Sequence, residues 1–148
     1  MKKILIVDDD EMMLKTMEFR LVKEGYHVIL CPNGQVALDK IVSENPDLII
    51  SDIMMPFISG LDIVRKVKIE LQLNIPIIIL SAVGLEKTVL EAFELGADDF
   101  MTKPFTPNEL SIRVKHLLIK KLYLLKDELE FHIFQFKEVN VITVNQCF

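Results

Sequence analysis

The sequence predicts an α/β fold in which a parallel five-stranded sheet packs between two layers of helices. Five short apolar runs have the length and composition of buried strands, and turn-forming residues bound them. Each run is followed by a segment whose apolar residues recur at helical spacing, so strands and helices alternate along the chain. Because βαβ crossovers are right-handed, this alternation predicts a doubly wound (βα)5 sandwich. The five runs are residues 4–7, 27–30, 48–50, 77–80 and 99–101.

Capping and stop signals predict where the helices begin and end. Ser59 and Asp62 have the spacing of a capping box at the start of the third helix. Residues 106–109 combine a threonine N-cap, a proline at the first helical position and a glutamate at the third, which predicts the start of the fifth helix. Gly25 and Gly96 are placed to close the first and fourth helices.

The C-terminal part of the chain follows a different pattern. Residues 120–130 extend the last helix, with Leu122, Leu125 and Leu129 forming a rough apolar stripe. Residues 131–148 instead favour a strand or hairpin, because aromatic and β-branched residues recur there. We therefore divide the chain into a main domain, 1–122, and an extension, 123–148. The extension packs on the main domain, pairs with another chain, or is a linker cut from a longer protein.

The composition narrows the class of protein. Apolar residues make up 51% of the 148-residue chain and charged residues 26%, as in a globular protein with a sizeable core. No apolar stretch approaches the ~18 residues of a membrane span. The net charge of −5 gives no basis for binding a nucleic-acid backbone. Cys31 and Cys147 are two isolated cysteines, and we expect reduced thiols in a cytoplasmic protein.

Polar residues stand where four of the predicted strands end. In open parallel sheets ligands bind beyond the carboxyl ends of the strands, so these residues are expected to share one site. Clustered carboxylates repel one another unless a cation lies between them, and Mg²⁺ prefers such oxygen ligands. With a lysine and a hydroxyl nearby, the pocket suits a phosphoryl group that a carboxylate nucleophile accepts. The residues are Asp8, Asp9, Asp52, Ser81 and Lys103.

This set of residues resembles the receiver domain of two-component response regulators. The resemblance covers about residues 1–122, with Asp8-Asp9, Asp52, Ser81-Ala82 and 103–105 in the family's order and near its spacing. It is closest to the receivers of winged-helix transcription factors. It implies a flavodoxin-like three-layer sandwich with strand order 2-1-3-4-5. It also implies a histidine-to-aspartate phosphorelay in the cytoplasm, with a sensor histidine kinase or phosphotransfer protein as partner.

The resemblance also implies a role for each matching residue. Asp52 corresponds to the phospho-accepting aspartate. Asp8, Asp9, Asp52 and the backbone carbonyl of Met54 correspond to the Mg²⁺ ligands. Ser81 and Phe100 correspond to the switch hydroxyl and the rotating aromatic residue. Lys103 corresponds to the lysine that pairs with the phosphoryl group, and its peptide bond to Pro104 is expected to be cis. Met54 and Val83 lie where the family tunes the phosphate lifetime, and both are apolar here.

The same resemblance implies what the phosphorylated domain does. Asp98, Asp99, Glu109 and Arg113 match a charged set that forms a dimer interface of helix 4, strand 5 and helix 5 in the winged-helix subfamily. Phosphorylation would reshape this surface and control dimerisation or partner binding. The chain would be a phospho-acceptor that assists its own phosphorylation and dephosphorylation rather than an enzyme. No membrane binding or direct nucleic-acid binding is implied.

Particular residues disfavour three other functions. A pseudo-receiver, which works as an interaction module without phosphorylation, is expected to lack one of the acids or the lysine, and none is missing here. An enzyme with an aspartyl-phosphate intermediate needs a second acid two residues after Asp52, where Met54 stands. A flavin-binding protein needs a phosphate-cradling loop after the first strand, where residues 8–10 are acidic and would repel it.

Overall fold

The computed structural model describes residues 1–146 and contains the parallel five-stranded sheet that the sequence predicts. The strands lie in the order 2-1-3-4-5, with neighbouring strands parallel throughout. This confirms the doubly wound, flavodoxin-like fold. The strands are β1 (Lys3–Val7), β2 (His27–Cys31), β3 (Leu48–Asp52), β4 (Ile77–Ser81) and β5 (Asp99–Thr102).

Five helices connect and flank the strands. The third of them continues as a short π-helical stretch over Lys66–Glu70, so that helix is longer than its regular part. The helices are α1 (Glu11–Lys23), α2 (Gly34–Glu44), α3 (Gly60–Arg65), α4 (Glu86–Leu95) and α5 (Pro107–Gln146).

The helix ends use the capping residues that the sequence indicates. Ser59 accepts a hydrogen bond from the backbone of Asp62, and the Asp62 carboxylate accepts one from the backbone of Ser59, which completes a capping box. The Thr106 hydroxyl accepts a hydrogen bond from the backbone of Glu109 at 3.1 Å. Gly96 ends α4 with φ of 115°, a left-handed conformation that glycine adopts without steric cost. Local sequence therefore sets the positions at which these helices start and stop.

The sheet separates two apolar cores because successive residues of a strand point to opposite faces. Leu5 and Val7 face the core that α2, α3 and α4 cover, whereas Ile4 and Ile6 face the core that α1 and α5 cover. Strands β3 and β4 are buried along their whole length. Cys31 is a buried free thiol in the first core, and Cys147 lies outside the described residues.

Helix α5 corrects one prediction. The prediction of a strand or hairpin over residues 131–148 is wrong for residues 131–146, because α5 continues unbroken from Pro107 to Gln146. Once a helix is nucleated, each added residue contributes a further backbone hydrogen bond, and residues 108–146 contain no glycine or proline to interrupt it. This propagation outweighs the strand preference of the aromatic and β-branched residues. Among residues 1–146, no helix combines the length and apolar character needed to cross a membrane.

Candidate functional site

Four parallel strands end at one edge of the sheet, and their ends carry the polar residues picked out from the sequence. The register keeps these ends level, since Asp52 lies opposite Leu80 and Ser81 lies opposite Thr102. Asp8-Asp9 follows β1 and Lys103 follows β5, each directly after the last strand residue. Fold topology therefore brings together side chains that are up to 95 residues apart in sequence.

The centre of the site is a lysine that bridges two buried carboxylates. The Lys103 Nζ atom lies 2.9 Å from an Asp8 oxygen and 3.1 Å from an Asp52 oxygen. Asp8 is completely buried and Asp52 nearly so, whereas Asp9 is exposed to solvent. Carboxylate oxygens of the three aspartates lie within 4.8 Å of one another. Three acids therefore lie close together, and one lysine pairs with the two that are buried.

Backbone donors fix the two buried carboxylates. The backbone N–H of Asp10 donates to Asp8 Oδ1 at 2.9 Å, and that of Met54 donates to Asp52 Oδ1 at 3.3 Å. Each carboxylate therefore directs one oxygen to the backbone and the other to Lys103. The Asp10 carboxylate points elsewhere, because it caps α1 by accepting hydrogen bonds from Met12 and Met13. Asp10 is a helix cap and not a fourth acid of the site.

The electrostatics of the site disfavour charge on Asp52. Burial raises the pKa of the Asp52 carboxyl, and the neighbouring charge of Asp8 acts in the same direction against the opposing charge of Lys103. Burial lowers the pKa of Lys103, but the hydrogen bond to Asp8 and the charges of Asp52 and Asp8 outweigh it, so the pKa is raised. Lys103 is therefore a fixed positive charge that only partly compensates the acids.

The residues present fit a divalent metal ion. The donors are carboxylate oxygens, two of the three aspartates are buried, and the one lysine leaves an excess of negative charge. Hard oxygen ligands with one side open to solvent are the environment that Mg²⁺ prefers. Asp8, Asp9 and Asp52 are the side chains that would hold the ion. The backbone of Met54 adjoins Asp52 through the hydrogen bond described above.

Ser81 and Phe100 both line a cavity next to the acidic cluster. The Ser81 side chain is buried, and its hydroxyl donates to the Ala82 carbonyl at 2.8 Å rather than to the cluster. Phe100 is about two-fifths exposed and packs edge-on against Phe93, with ring centroids 5.8 Å apart. These residues line an apolar cavity of about 280 Å³ that also contacts Val89. The cavity is large enough to receive an aromatic side chain.

The structure divides the four charged residues predicted for a dimer interface into two groups. Arg113 lies 2.9 Å from both carboxylate oxygens of Asp99 and 3.3 Å from Glu109, so these three form one surface cluster. Asp98 belongs to a different contact, because its carboxylate pairs with Lys68 at 3.0 Å and accepts the backbone N–H of Ile77. Asp98 thus holds the start of β4.

Two further features lie next to the site. The peptide bond between Lys103 and Pro104 is cis. The side chains of Met54 and Val83 are exposed, at 59% and 77% of their full surface, and flank the ends of β3 and β4. Both side chains are apolar and offer no hydrogen bond to a water molecule or a ligand.

Sequence reasoning missed the positioning role of Gly60. A side chain added at this residue would place its Cβ 2.5 Å from the Asp52 carbonyl oxygen and 2.7 Å from the Ile53 Cα atom. Both are backbone atoms that cannot move aside cheaply. The Gly60 N–H donates to the Ile53 carbonyl at 3.0 Å. Because it has no side chain, Gly60 lets α3 begin directly against the end of the strand that carries Asp52. The only sequence signal for this close approach is the position of Gly60 between Ser59 and Asp62 in the capping box.

A doubly wound sheet in this order, with an acidic cluster and a lysine at its carboxyl edge, is the architecture of CheY-like signalling domains. The response regulator receiver domain family matches residues 4–115. The chain belongs to this family.

Known proteins support the assignment at the level of sequence and fold. Over 117 residues the chain is 42% identical to the alkaline phosphatase synthesis transcriptional regulatory protein PhoP of Bacillus subtilis, a match that covers 79% of the chain and 48% of PhoP. The chain thus spans about half the length of this relative.

Among solved structures, the fold resembles a receiver domain protein from Clostridium thermocellum with a TM-score of 0.79 at 29% identity, covering 84% of the chain and 99% of that protein. It also resembles the chemotaxis protein CheY4 of Vibrio cholerae with a TM-score of 0.73 at 31% identity, covering 78% and 98%. NtrX from Brucella abortus matches over 87% of the chain and 30% of its own length, with a TM-score of 0.79 and 27% identity.

Proposed function

We propose that the domain accepts a phosphoryl group on Asp52 from a sensor histidine kinase or phosphotransfer protein. The observation that carries this proposal is the Lys103 bridge between Asp8 and Asp52. It leaves a carboxylate nucleophile beside a fixed positive charge at the open edge of the sheet. We place the receiver at about residues 1–122 and the protein in the cytoplasm, in keeping with its family.

The transfer itself needs little more than these side chains. An Asp52 oxygen attacks phosphorus, a new P–O bond forms, and the P–N bond to the histidine of the donor breaks. Lys103 offsets part of the charge on the phosphoryl oxygens, and it is already positioned and need not be reorganised during the reaction. In this role the chain is a phospho-acceptor that assists its own phosphorylation and dephosphorylation, not an enzyme with a separate substrate.

We infer that Mg²⁺ is the cofactor, held by Asp8, Asp9, Asp52 and the Met54 carbonyl. When bound, it supplies positive charge to the phosphoryl oxygens. The protein residues keep the acids close enough to share the ion, and the Asp10 and Met54 N–H groups orient the two buried carboxylates.

Mg²⁺ is expected to stabilise the fold through Asp9 but not through Asp10. Because an ion that binds only the folded state adds about 2.7 kcal/mol at 100 times its dissociation constant, saturating Mg²⁺ should raise the free energy of unfolding measurably. Asp9→Asn should weaken Mg²⁺ binding at least tenfold, since it removes a charged ligand. Asp10→Asn is the matched control, because asparagine caps a helix as well as aspartate. Urea denaturation with and without Mg²⁺ measures how much the ion raises the free energy of unfolding of the wild type and of each variant. Equal loss of the Mg²⁺ effect in the two variants would contradict the ligand set.

We propose that Ser81 and Phe100 connect the phosphorylation site to an output surface. We propose that a phosphoryl group on Asp52 draws the Ser81 hydroxyl away from Ala82 and that Phe100 turns into the apolar cavity beside it. This movement would change the surface formed by α4, β5 and α5, where Asp99, Glu109 and Arg113 are paired. The altered surface would control dimerisation or the binding of an output partner. We propose that the whole protein is a transcription regulator of the winged-helix subfamily; the similarity to PhoP, a transcriptional regulatory protein, supports the role in transcription.

Slow self-dephosphorylation is expected because the site lacks a group that orients water. Hydrolysis requires a water molecule to attack phosphorus, and the exposed side chains of Met54 and Val83 cannot hydrogen-bond to it. The half-life should be minutes to hours rather than seconds. Met54→Asn should shorten it about tenfold, whereas Met54→Leu should leave it nearly unchanged. Loss of ³²P label from the purified phosphoprotein measures the rate. A wild-type half-life of seconds would refute this prediction.

A direct test of the proposed function uses acetyl phosphate as donor, with Mg²⁺, and intact-protein mass spectrometry. The expected gain is about 80 Da, the mass of one phosphoryl group. No gain at saturating Mg²⁺ would reject the proposal and favour a pseudo-receiver that acts without phosphorylation.

A further inference from the structure

Helix α5 leaves the domain as a free helix with many exposed apolar side chains. Every residue from 122 to 138 is exposed to solvent. A solitary helix in water gains little from its own backbone hydrogen bonds, and most helical stability in proteins comes from packing an apolar face. Aromatic and β-branched residues, common in this part of α5, lower its intrinsic helix propensity further. We therefore expect the projecting helix to pack against a partner.

The exposed apolar residues include one unbroken stripe along four turns. At 3.6 residues per turn, its members lie within about 80° of one another around the helix axis. Their side chains are between 46% and 69% exposed. The spacing is close to the heptad pattern of paired helices. On the opposite side, apolar residues are interrupted by Asp127, Glu130 and Glu138. The stripe consists of Leu122, Leu125, Leu129, Ile133 and Phe136.

The charges around the stripe distinguish between possible partners. Residues 120–138 contain four lysines and four acidic residues, so this part of the helix has no net charge. A membrane-surface helix or a nucleic-acid-binding helix would carry a basic face instead. Lys121 and Glu128 border one side of the stripe and Lys126 borders the other, which is the mixed pattern of helix–helix interfaces.

The stripe also continues into the domain. Leu122 and Leu125 line a groove of about 290 Å³ at the root of the projecting helix, together with Tyr26 and Leu118. A partner helix on the stripe would therefore meet an apolar hollow where it reaches the receiver. A symmetric pair uses the same surface twice and covers both copies at once, which is the commonest way for proteins to assemble.

We propose that the occupant of this stripe is α5 of a second copy of the chain, so that the protein is a dimer before it is phosphorylated. The paired helices hold two receivers together permanently. Phosphorylation of Asp52 then rearranges the α4–β5–α5 surfaces within an existing dimer and does not bring two monomers together. The pairing of the helices goes beyond the phosphoryl chemistry and does not depend on it, whereas the rearrangement within the dimer rests on the proposed function.

Light scattering coupled to size-exclusion chromatography of the full chain tests the proposal. Without phosphorylation, the wild type should have twice the chain mass of 17.0 kDa. Leu122→Glu combined with Leu129→Glu should reduce this to the mass of one chain. Leu124→Glu combined with Phe131→Glu is the matched control: it has the same seven-residue spacing and comparable exposure, about 150° around the helix from the stripe. The control should remain a dimer.

Three outcomes would overturn the proposal: a monomeric wild type, a stripe variant that remains a dimer, or a control that dissociates as fully as the stripe variant. Both variants should take up a phosphoryl group from acetyl phosphate, because the stripe is remote from Asp52, and this verifies that their receivers are folded. Asp52→Asn should remain a dimer. A failure of phosphorylation and a failure of dimerisation are thus separate results.

Discussion

Asp52→Asn is expected to abolish phosphorylation completely. The wild type, incubated with acetyl phosphate and Mg²⁺, should gain about 80 Da, and the variant should gain nothing. The reason is chemical: an amide oxygen is too weak a nucleophile to form the acyl phosphate, whereas the side-chain volume and the hydrogen bond from Met54 can be retained. Mass spectrometry of the intact chains measures the difference.

Borohydride trapping locates the modified residue. Reduction of the acyl phosphate releases phosphate and converts the aspartate to homoserine, which peptide mapping should find at position 52. Asp10→Asn serves as the control, because the Asp10 side chain caps α1 and takes no part in the cluster, and the backbone N–H that donates to Asp8 is retained. It should be phosphorylated at the wild-type rate. A phosphoryl group that persists in Asp52→Asn, on Asp8 or Asp9, would refute the assignment of the acceptor.

Lys103→Met should have the second largest effect, on both stability and phosphorylation. The variant leaves Asp8 and Asp52 buried without their shared positive charge, and removing one partner of a buried ion pair costs about 3 kcal/mol. Loss of a positioned charge next to the phosphoryl oxygens should slow uptake of the phosphoryl group by about 10²-fold. Urea denaturation without Mg²⁺ measures the first effect, and the rate of mass gain measures the second.

Lys68→Met provides the matched control for stability. Lys68 pairs with Asp98 at 3.0 Å, but the Asp98 side chain is one-third exposed, so water can replace much of the lost interaction. The control should therefore lose less than about 1 kcal/mol. Mg²⁺ should restore part of the stability of Lys103→Met and none of that lost in Lys68→Met. Equal destabilisation of the two variants would show that the Lys103 bridge is not the main electrostatic contact of the site.

Much of the fold and of the acidic site could be predicted from the sequence. The strands are short apolar runs with clear turn residues on either side, and a parallel sheet brings their carboxyl ends to one edge. Asp8, Asp52 and Lys103 could therefore be grouped without knowledge of any distance. The capping box of Ser59 and Asp62 is a local pattern, and such patterns are visible in sequence.

Other features depend on contacts between distant segments and could not be predicted. The close approach of Gly60 to the Asp52 backbone depends on the path of the loop between β3 and α3. Asp98 and Asp99 are neighbours in sequence, yet Asp98 holds the start of β4 while Asp99 pairs with Arg113 on α5. Local residue preferences also fail to predict the helical course of residues 131–146, because it depends on propagation of the helix that precedes them.

The length of α5 gives it a mechanical property that a shorter helix would lack. It starts at Pro107, four residues after Lys103 in the acidic cluster, and its 40 residues span about 60 Å at 1.5 Å each. As a rigid rod that packs on the receiver only through its first turns, it would act as a lever. A tilt of only about 5° at the receiver would move the far end by about 5 Å, roughly the pitch of one helical turn. Displacements too small to reorganise the receiver itself would then be large where the rod ends.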